Sequence, residues 1–388
     1  VSGLLVTEWI EPAGGAERVL DRLAGLFPHA DMLALWSDAP DRYPDRIVRE
    51  TWLSRTPLRR RKALALPVMP VTWRIPRQRG HEWTLVSSHA FAHHVRTEPG
   101  TPKLVYAHTP ARYLWAPELD ARGDNLAARI AGPPLRAIDR RRAGDATALA
   151  ANSRFVADRI ARSWDREATV VHPPVDVAAI RTGAWRADLT DADRRLLDKL
   201  PVDVVLGVSR FIPYKRMDAV IAAGEVLDRP VVIAGSGPLE AELREAAAAA
   251  SVPVRLVVGP SDALVRALME RASLFVFPPV EDFGIVAVEA MAAGTPVMAN
   301  RRGGAGESVV DGVSGALFDP RSADETAAAA DVCAGIPRER ISAHALRFDA
   351  EAFDRDLLAW LAPHVADAAS LSDQRAHAGV RADEGADA

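Results

Sequence analysis

Two carboxylates, two cations and a histidine are spaced so that together they could act on one ligand. In the stretch FPPVEDFGIVAVEAMAAGTPV (277–297), seven residues separate Glu281 from Glu289, and Phe283 and Gly284 lie between them. The apolar run Leu274–Phe277 reads as a buried strand that Pro278 and Pro279 end. A helix is expected over 285–293, with Gly294 and Pro296 as its stop. A strand end, a loop and a helix N-terminus leave several backbone N–H groups without partners, which makes an anion site. Carboxylates beside such a site have no use for phosphate. They suit a ligand that carries hydroxyls as well as phosphates, such as a nucleotide sugar.

Arg210 and Lys215 follow another apolar run, near 204–209, and would sit at the carboxyl edge of the same sheet. Arg as a planar fork and Lys as a point charge can together neutralise a diphosphate. Val258 ends a further strand, where backbone groups could read a base edge. Gly235 and Gly237 read as turn residues. In the first half, the strand KLVYA ends at His108, and ligands in open α/β sheets gather at such strand ends. Gly14 and Gly15 form a turn between a strand and a helix. This turn is not the GxGxxG of a dinucleotide site, and a tight turn alone accounts for it equally well.

The phrase EDFGIVAVEAMAAGTPV resembles the retaining glycosyltransferases of family 4, which have the GT-B fold. HPPVD is also typical of that family, and GGAERV, SSHAFAHHV and YAHTPARYLWAP narrow the resemblance to a branch that contains bacterial mannosyltransferases of O-antigen assembly. Ala287 departs from that branch, which often has proline there. The resemblance implies transfer of a sugar, with retention, from a nucleotide diphosphate to an acceptor hydroxyl. It implies that Arg210 and Lys215 hold the diphosphate and that Glu289 takes the ribose hydroxyls. Glu281 and the backbone of Phe283, Gly284 and Ile285 would hold the sugar. His108, Gly14 and Gly15 would contact the donor from the first domain. No metal or other cofactor is implied, and GDP-mannose is the favoured donor. The acceptor, whether a glycan, a lipid-linked sugar or a small glycoside, is left open. A nucleotide-sugar epimerase of the same fold and a non-catalytic sugar-nucleotide binder are the alternatives.

These residues need two Rossmann-like, doubly wound domains facing across a cleft. A chain of 388 residues is too long for one ordinary core. Strands near 4–7, 30–36, 84–88, 103–107, 147–150 and 169–172 build the first domain (1–172). A linker is expected over 173–201. Strands near 204–209, 231–234, 255–258, 274–277, 296–299 and 315–318 build the second (202–345) as a parallel sheet. An amphipathic helix within 346–366 would cross back to the first domain, and a polar tail over 367–388 would be disordered. Between Asp38 and Gly80 the pattern is irregular. Arg55, Arg59, Arg60, Arg61, Lys62, Arg74, Arg77 and Arg79 alternate there with Trp52, Leu53, Trp73 and Ile75. That insert reads as a solvated face or as a patch for an anionic membrane surface. No motif in it points to nucleic acid.

Bulk properties narrow the class further. Apolar residues make up 48% and charged residues 26%, as in soluble globular proteins. No run is long enough for a membrane helix, and no basic-then-apolar leader opens the chain. The one cysteine, Cys333, excludes an internal disulfide and a cysteine-rich zinc site. A cytoplasmic protein, peripheral at most to the inner face of the membrane, is the expectation. The net charge of −4 conceals a basic front half and an acidic back half.

Overall fold

A computed structural model describes residues 2–117, 126–366 and 368–370. The chain divides into two compact units, 1–174 with 353–388, and 175–352. The first holds seven strands: β1 Gly3–Ile10, β2 Asp31–Ser37, β3 Val48–Glu50, β4 Trp83–Ser88, β5 Lys103–Ala107, β6 Ala148–Ala151 and β7 Thr169–Val170. They lie in the order β3-β2-β1-β4-β5-β6-β7, and every pairing is parallel. The second holds β8 Val205–Val208, β9 Val231–Gly235, β10 Val254–Val258, β11 Leu274–Phe277, β12 Val297–Asn300 and β13 Gly315–Phe318. Their order, β10-β9-β8-β11-β12-β13, repeats the same winding, again all parallel.

Alternation along each strand explains the layers. On β1, Leu4 and Val6 enter a core with Trp36, Leu53, Met69 and Trp73, while Leu5 enters the opposite core with Leu20, Leu23, Leu85 and Tyr106. On β11, Phe275 and Phe277 face one core, and Leu274 and Val276 face the other. Strands buried on both faces read as unbroken apolar runs, so both sheets were visible in the sequence.

Some expectations change. The insert 38–80 is not wholly irregular. Its Val48–Glu50 pairs with β2 as a parallel edge strand, and Leu53 and Trp73 are buried beneath it while Trp52 and Ile75 are exposed. The segment read as a linker is folded. Helices Val177–Thr182 and Asp191–Asp198 pack on the second unit, with Val175, Val177 and Ile180 in its core. A capping box between Thr190 and Asp193 starts the latter helix. The last strand of the first unit is shortened to Thr169–Val170. Helix Ala350–Leu361 carries Phe353, Leu357 and Leu358 into the first unit's core, and Arg22 Nε donates to Asp354 Oδ1 at 2.6 Å. Apart from 368–370, the tail expected to be disordered lies outside the described residues.

Candidate functional site

In the second unit, the winding reverses between β8 and β11, and an open α/β sheet offers its ligand crevice at such a reversal. The residues singled out above come from the loops that leave these two strands. Lys215 ends the 3-10 turn Pro213–Lys215 after β8, and Arg216 leaves that turn in the left-handed region at φ 52°. Lys215 Nζ donates to Glu281 Oε1, and the two side chains are 14% and 13% exposed. Arg210 is more open, and its guanidinium donates to the Tyr214 hydroxyl at 3.3 Å. The Lys215 ammonium lies 5.2 Å from the centre of the Tyr214 ring.

The loop after β11 turns on Gly284, whose φ of 91° would strain any residue with a side chain. Gly284 precedes helix Ile285–Ala292, which contains Glu289 five positions in. The Phe283 ring is buried edge-on against Phe348 with centroids 5.6 Å apart, so it anchors the loop. Ala287 N donates to Gly284 O at 3.0 Å, a bond that a proline there would delete. Val258 stands exposed at the carboxyl end of the edge strand β10. A Cβ on Gly235 would lie 1.8 Å from Ser209 O, and one on Gly237 would lie 2.6 Å from Phe211 O, so both glycines serve a close backbone approach.

One part of this site was missed from sequence. Gly303 and Gly304, after β12, press against the loop that holds Glu281. Gly304 N donates to Glu281 O at 2.8 Å, and a Cβ on Gly304 would lie 2.0 Å from Asp282 O. Asn300 Nδ2 ties the same loop to Pro278 O at 2.9 Å. The doublet RRGG directly after a strand was the available signal.

In the first unit, His108 leaves β5 with Nε2 2.8 Å from Ser87 Oγ, its ring edge-on to Tyr106 and 6.2 Å from the ring of His89. His89 stands edge-on to Trp9. Beneath them lies Glu8, fully buried on β1. Its carboxylate accepts the N–H groups of His89, Ala90 and Ala92 and the Ser88 hydroxyl, at 2.8–3.2 Å. Burial alone would raise this carboxyl, yet adjacent His89 and the N–H groups hold it below the ordinary range. A lone charge inside the apolar strand LLVTEWI was the signal that sequence reasoning passed over. Gly14 precedes helix Gly15–Leu26, and the Glu17 carboxylate lies over Gly14 while accepting Glu11 N at 3.1 Å. The glycine turn therefore brings an acidic side chain to this helix N-terminus.

Among the described residues, His93, His94 and Asp139 place potential metal ligands within 4.8 Å of one another. Asp139 is instead engaged by protein donors. Oδ2 accepts the indole N–H groups of Trp115 and Trp164, each at 2.7 Å, and Oδ1 lies 2.8 Å from His94 Nε2. The cluster staples helix Leu126–Ala143 to the turn after β4.

Residues 191–333, which contain Arg210, Lys215, Glu281 and Glu289, match the family model described as glycosyl transferases group 1. Over 302 residues the chain is 32% identical to the D-inositol 3-phosphate glycosyltransferase of Mycobacterium bovis, covering 66% of this chain and 59% of that protein. It thus spans about three fifths of the length of the curated relatives it matches. The structure is similar to HepE of Anabaena in complex with UDP, with a TM-score of 0.67 at 18% identity over 94% of this chain and 100% of that one. Sucrose-phosphate synthase of Thermosynechococcus elongatus gives 0.66 at 18% identity, over 91% and 96%. The fold is therefore α/β with two Rossmann-like units, as in GT-B glycosyltransferases. Within the matched residues 191–333, the ion pair and the glycine-supported loop leave the two strands at which the second unit's sheet reverses.

Proposed function

We propose that the protein transfers a hexose, with mannose favoured, from a nucleoside diphosphate sugar to an acceptor hydroxyl, retaining the anomeric configuration without a metal. The observation that carries this reading is the Lys215–Glu281 pair. It joins a phosphate-type cation from β8 to a hydroxyl-type carboxylate from β11. Arg210 and Lys215 hold the diphosphate and stabilise the charge that develops on it as it leaves. Glu289 takes the ribose hydroxyls, and the backbone near Val258 takes the base. Glu281, with the backbone of Phe283, Gly284 and Ile285, holds the sugar. His108, with Gly14 and Gly15, serves the donor from the first unit.

Paired carboxylates achieve retention in glycosidases by covalent catalysis. No carboxylate of the first unit is assigned as a nucleophile beside His108. In the proposed step the sugar C1–O bond to the diphosphate breaks and the acceptor oxygen bonds C1 on the same face. The hydroxyl proton passes to the departing diphosphate. The preference for GDP-mannose rests on GGAERV, YAHTPARYLWAP and EDFGIVAVEAMAAGTPV. The loop holding Glu281 meets the 3- and 4-hydroxyls, which mannose and glucose share, so it does not choose between them.

The test offers GDP-mannose, UDP-glucose and UDP-N-acetylglucosamine at equal concentration, with and without a chelator. Turnover of GDP-mannose first, with the chelator having no effect, is expected. Preference for either uridine donor would sink the mannose assignment, and loss of turnover in chelator would sink the metal-free mechanism.

A further inference from the structure

The basic insert of the first unit is left unused by the reaction. Residues 51–81 contain no aspartate or glutamate, yet carry Arg55, Arg59, Arg60, Arg61, Lys62, Arg74, Arg77 and Arg79. The structure divides these cations. Arg59 pairs with Asp38, Lys62 with Glu11 and Arg74 with Asp145. Arg55, Arg60 and Arg61 are exposed, and no acidic partner for them is found among the described residues.

Apolar side chains accompany them on the outside. Short helices Lys62–Ala65 and Met69–Thr72 follow one another through a helical turn, with Val68 N bonded to Ala65 O and Thr72 N to Val68 O. Ala65, Met69, Thr72 and Trp73 take the buried side of this segment. Leu64, Val71 and Ile75, spaced seven and four apart, take the other and are 55%, 58% and 60% exposed. Such spacing is that of one helical face. The segment is thus apolar on both sides, and among the described residues none covers the outer side. Trp52, 49% exposed, is borne on the same insert.

We infer that this face, centred on Leu64, Val71 and Ile75 with Arg60 and Arg61 beside it, docks the protein on an anionic lipid bilayer. Apolar tips enter the headgroup boundary while guanidinium groups meet the lipid phosphates, and the two terms together exceed either alone. A polyanion such as nucleic acid would use the arginines but would gain nothing from exposed Leu, Val and Ile. The inference does not depend on the transfer reaction, because docking is measured without turnover.

The experiment floats the full chain with vesicles of phosphatidylcholine alone or mixed with phosphatidylglycerol. It uses the wild type, a Leu64→Ser/Val71→Ser/Ile75→Ser variant and an Arg60→Ser/Arg61→Ser variant. All five positions are exposed, so both variants should fold, as thermal melts would verify. Expected is binding to the anionic vesicles that falls about tenfold or more in each variant and is reversed by salt. Equal binding to neutral and anionic vesicles would overturn the inference, as would anionic binding that neither variant weakens. So would a concentration-dependent dimer that the serine substitutions dissolve, in protein that ignores vesicles. Capture of a duplex oligonucleotide in place of vesicles would assign the arginines to nucleic acid and overturn it too.

Discussion

Lys215 and Glu281, 66 residues apart in the chain, neutralise each other in a nearly enclosed contact at the carboxyl edge of the second sheet. On the proposed reading a phosphate and Glu281 share the Lys215 ammonium, the carboxylate charge opposes the phosphate, and the carboxylate also accepts a sugar hydroxyl. Glu281→Gln should therefore leave binding of a bare nucleoside diphosphate equal or tighter while weakening the sugar nucleotide. Glu289→Gln should weaken both. Calorimetry with the two ligands separates these outcomes, and equal losses on both ligands for both variants would contradict the division of roles.

Lys215→Ala and Arg210→Ala should each cripple turnover without unfolding the protein. Each removes a charge-assisted contact worth roughly 1.5–3 kcal/mol, or about tenfold to more than a hundredfold in rate. Steady-state kinetics beside a thermal melt is the measurement. Wild-type turnover in either variant would mean that the diphosphate binds elsewhere.

Gly304→Ala should disturb the loop that holds Glu281, because its Cβ would meet Asp282 O and the Phe283 Cα at 2.0 and 2.6 Å. Backbone cannot yield as a flexible side chain does, so a loss of about 1–3 kcal/mol is expected, with weaker donor binding. Gly25→Ala is the contrast. It lies exposed within helix Gly15–Leu26 with nothing near its added Cβ, and should stabilise by about 0.5–1 kcal/mol. Denaturant titration of both variants decides, and a neutral Gly304→Ala would show that the loop is not clamped.

Stability should depend on pH through two buried bases beside His93. Burial, then neighbouring His93, pushes His94 down to about 4 from 6.5. Between these values the unfolded chain binds the proton that the folded chain refuses, so stability should fall as pH drops from 6.5 toward 4. Burial likewise pushes Lys103 down to about 8 from 10.5, so its contribution should grow as pH rises from 8 toward 10.5. Melting temperatures across both windows test this. A flat acid limb in the wild type, or an acid limb equally steep in His94→Gln, would reject the assignment to His94.

Glu8→Gln should cost more than about 2 kcal/mol, because the amide cannot accept all the donors that the carboxylate now gathers. The loop carrying His89, beside His108, should loosen. Hydrogen exchange at 89–92 would report this, and unchanged protection there would remove Glu8 from any positioning role.

What the sequence determined on its own was local. Leu274–Phe277 and Lys103–Ala107 are strands because short apolar runs end in Pro-Pro and in His-Thr-Pro, and those signals lie within a few residues of each other. Gly284 before Ile285 marks a helix start for the same reason, and so the positions of Glu281 and Glu289 were legible. Only the tertiary structure decided what depends on distant partners. Val48–Glu50 becomes a strand because β2 offers it an edge, although three residues carry no periodicity of their own. Residues 175–201 fold because the second sheet has an apolar face to cover, and their composition resembles a linker when read alone. Glu8 is tolerated inside β1 because four donors from 88–92 converge on it. Spacing can bring Lys215 and Glu281 to the same sheet edge, but only parallel strands in the order β8-β11 bring their charges into contact.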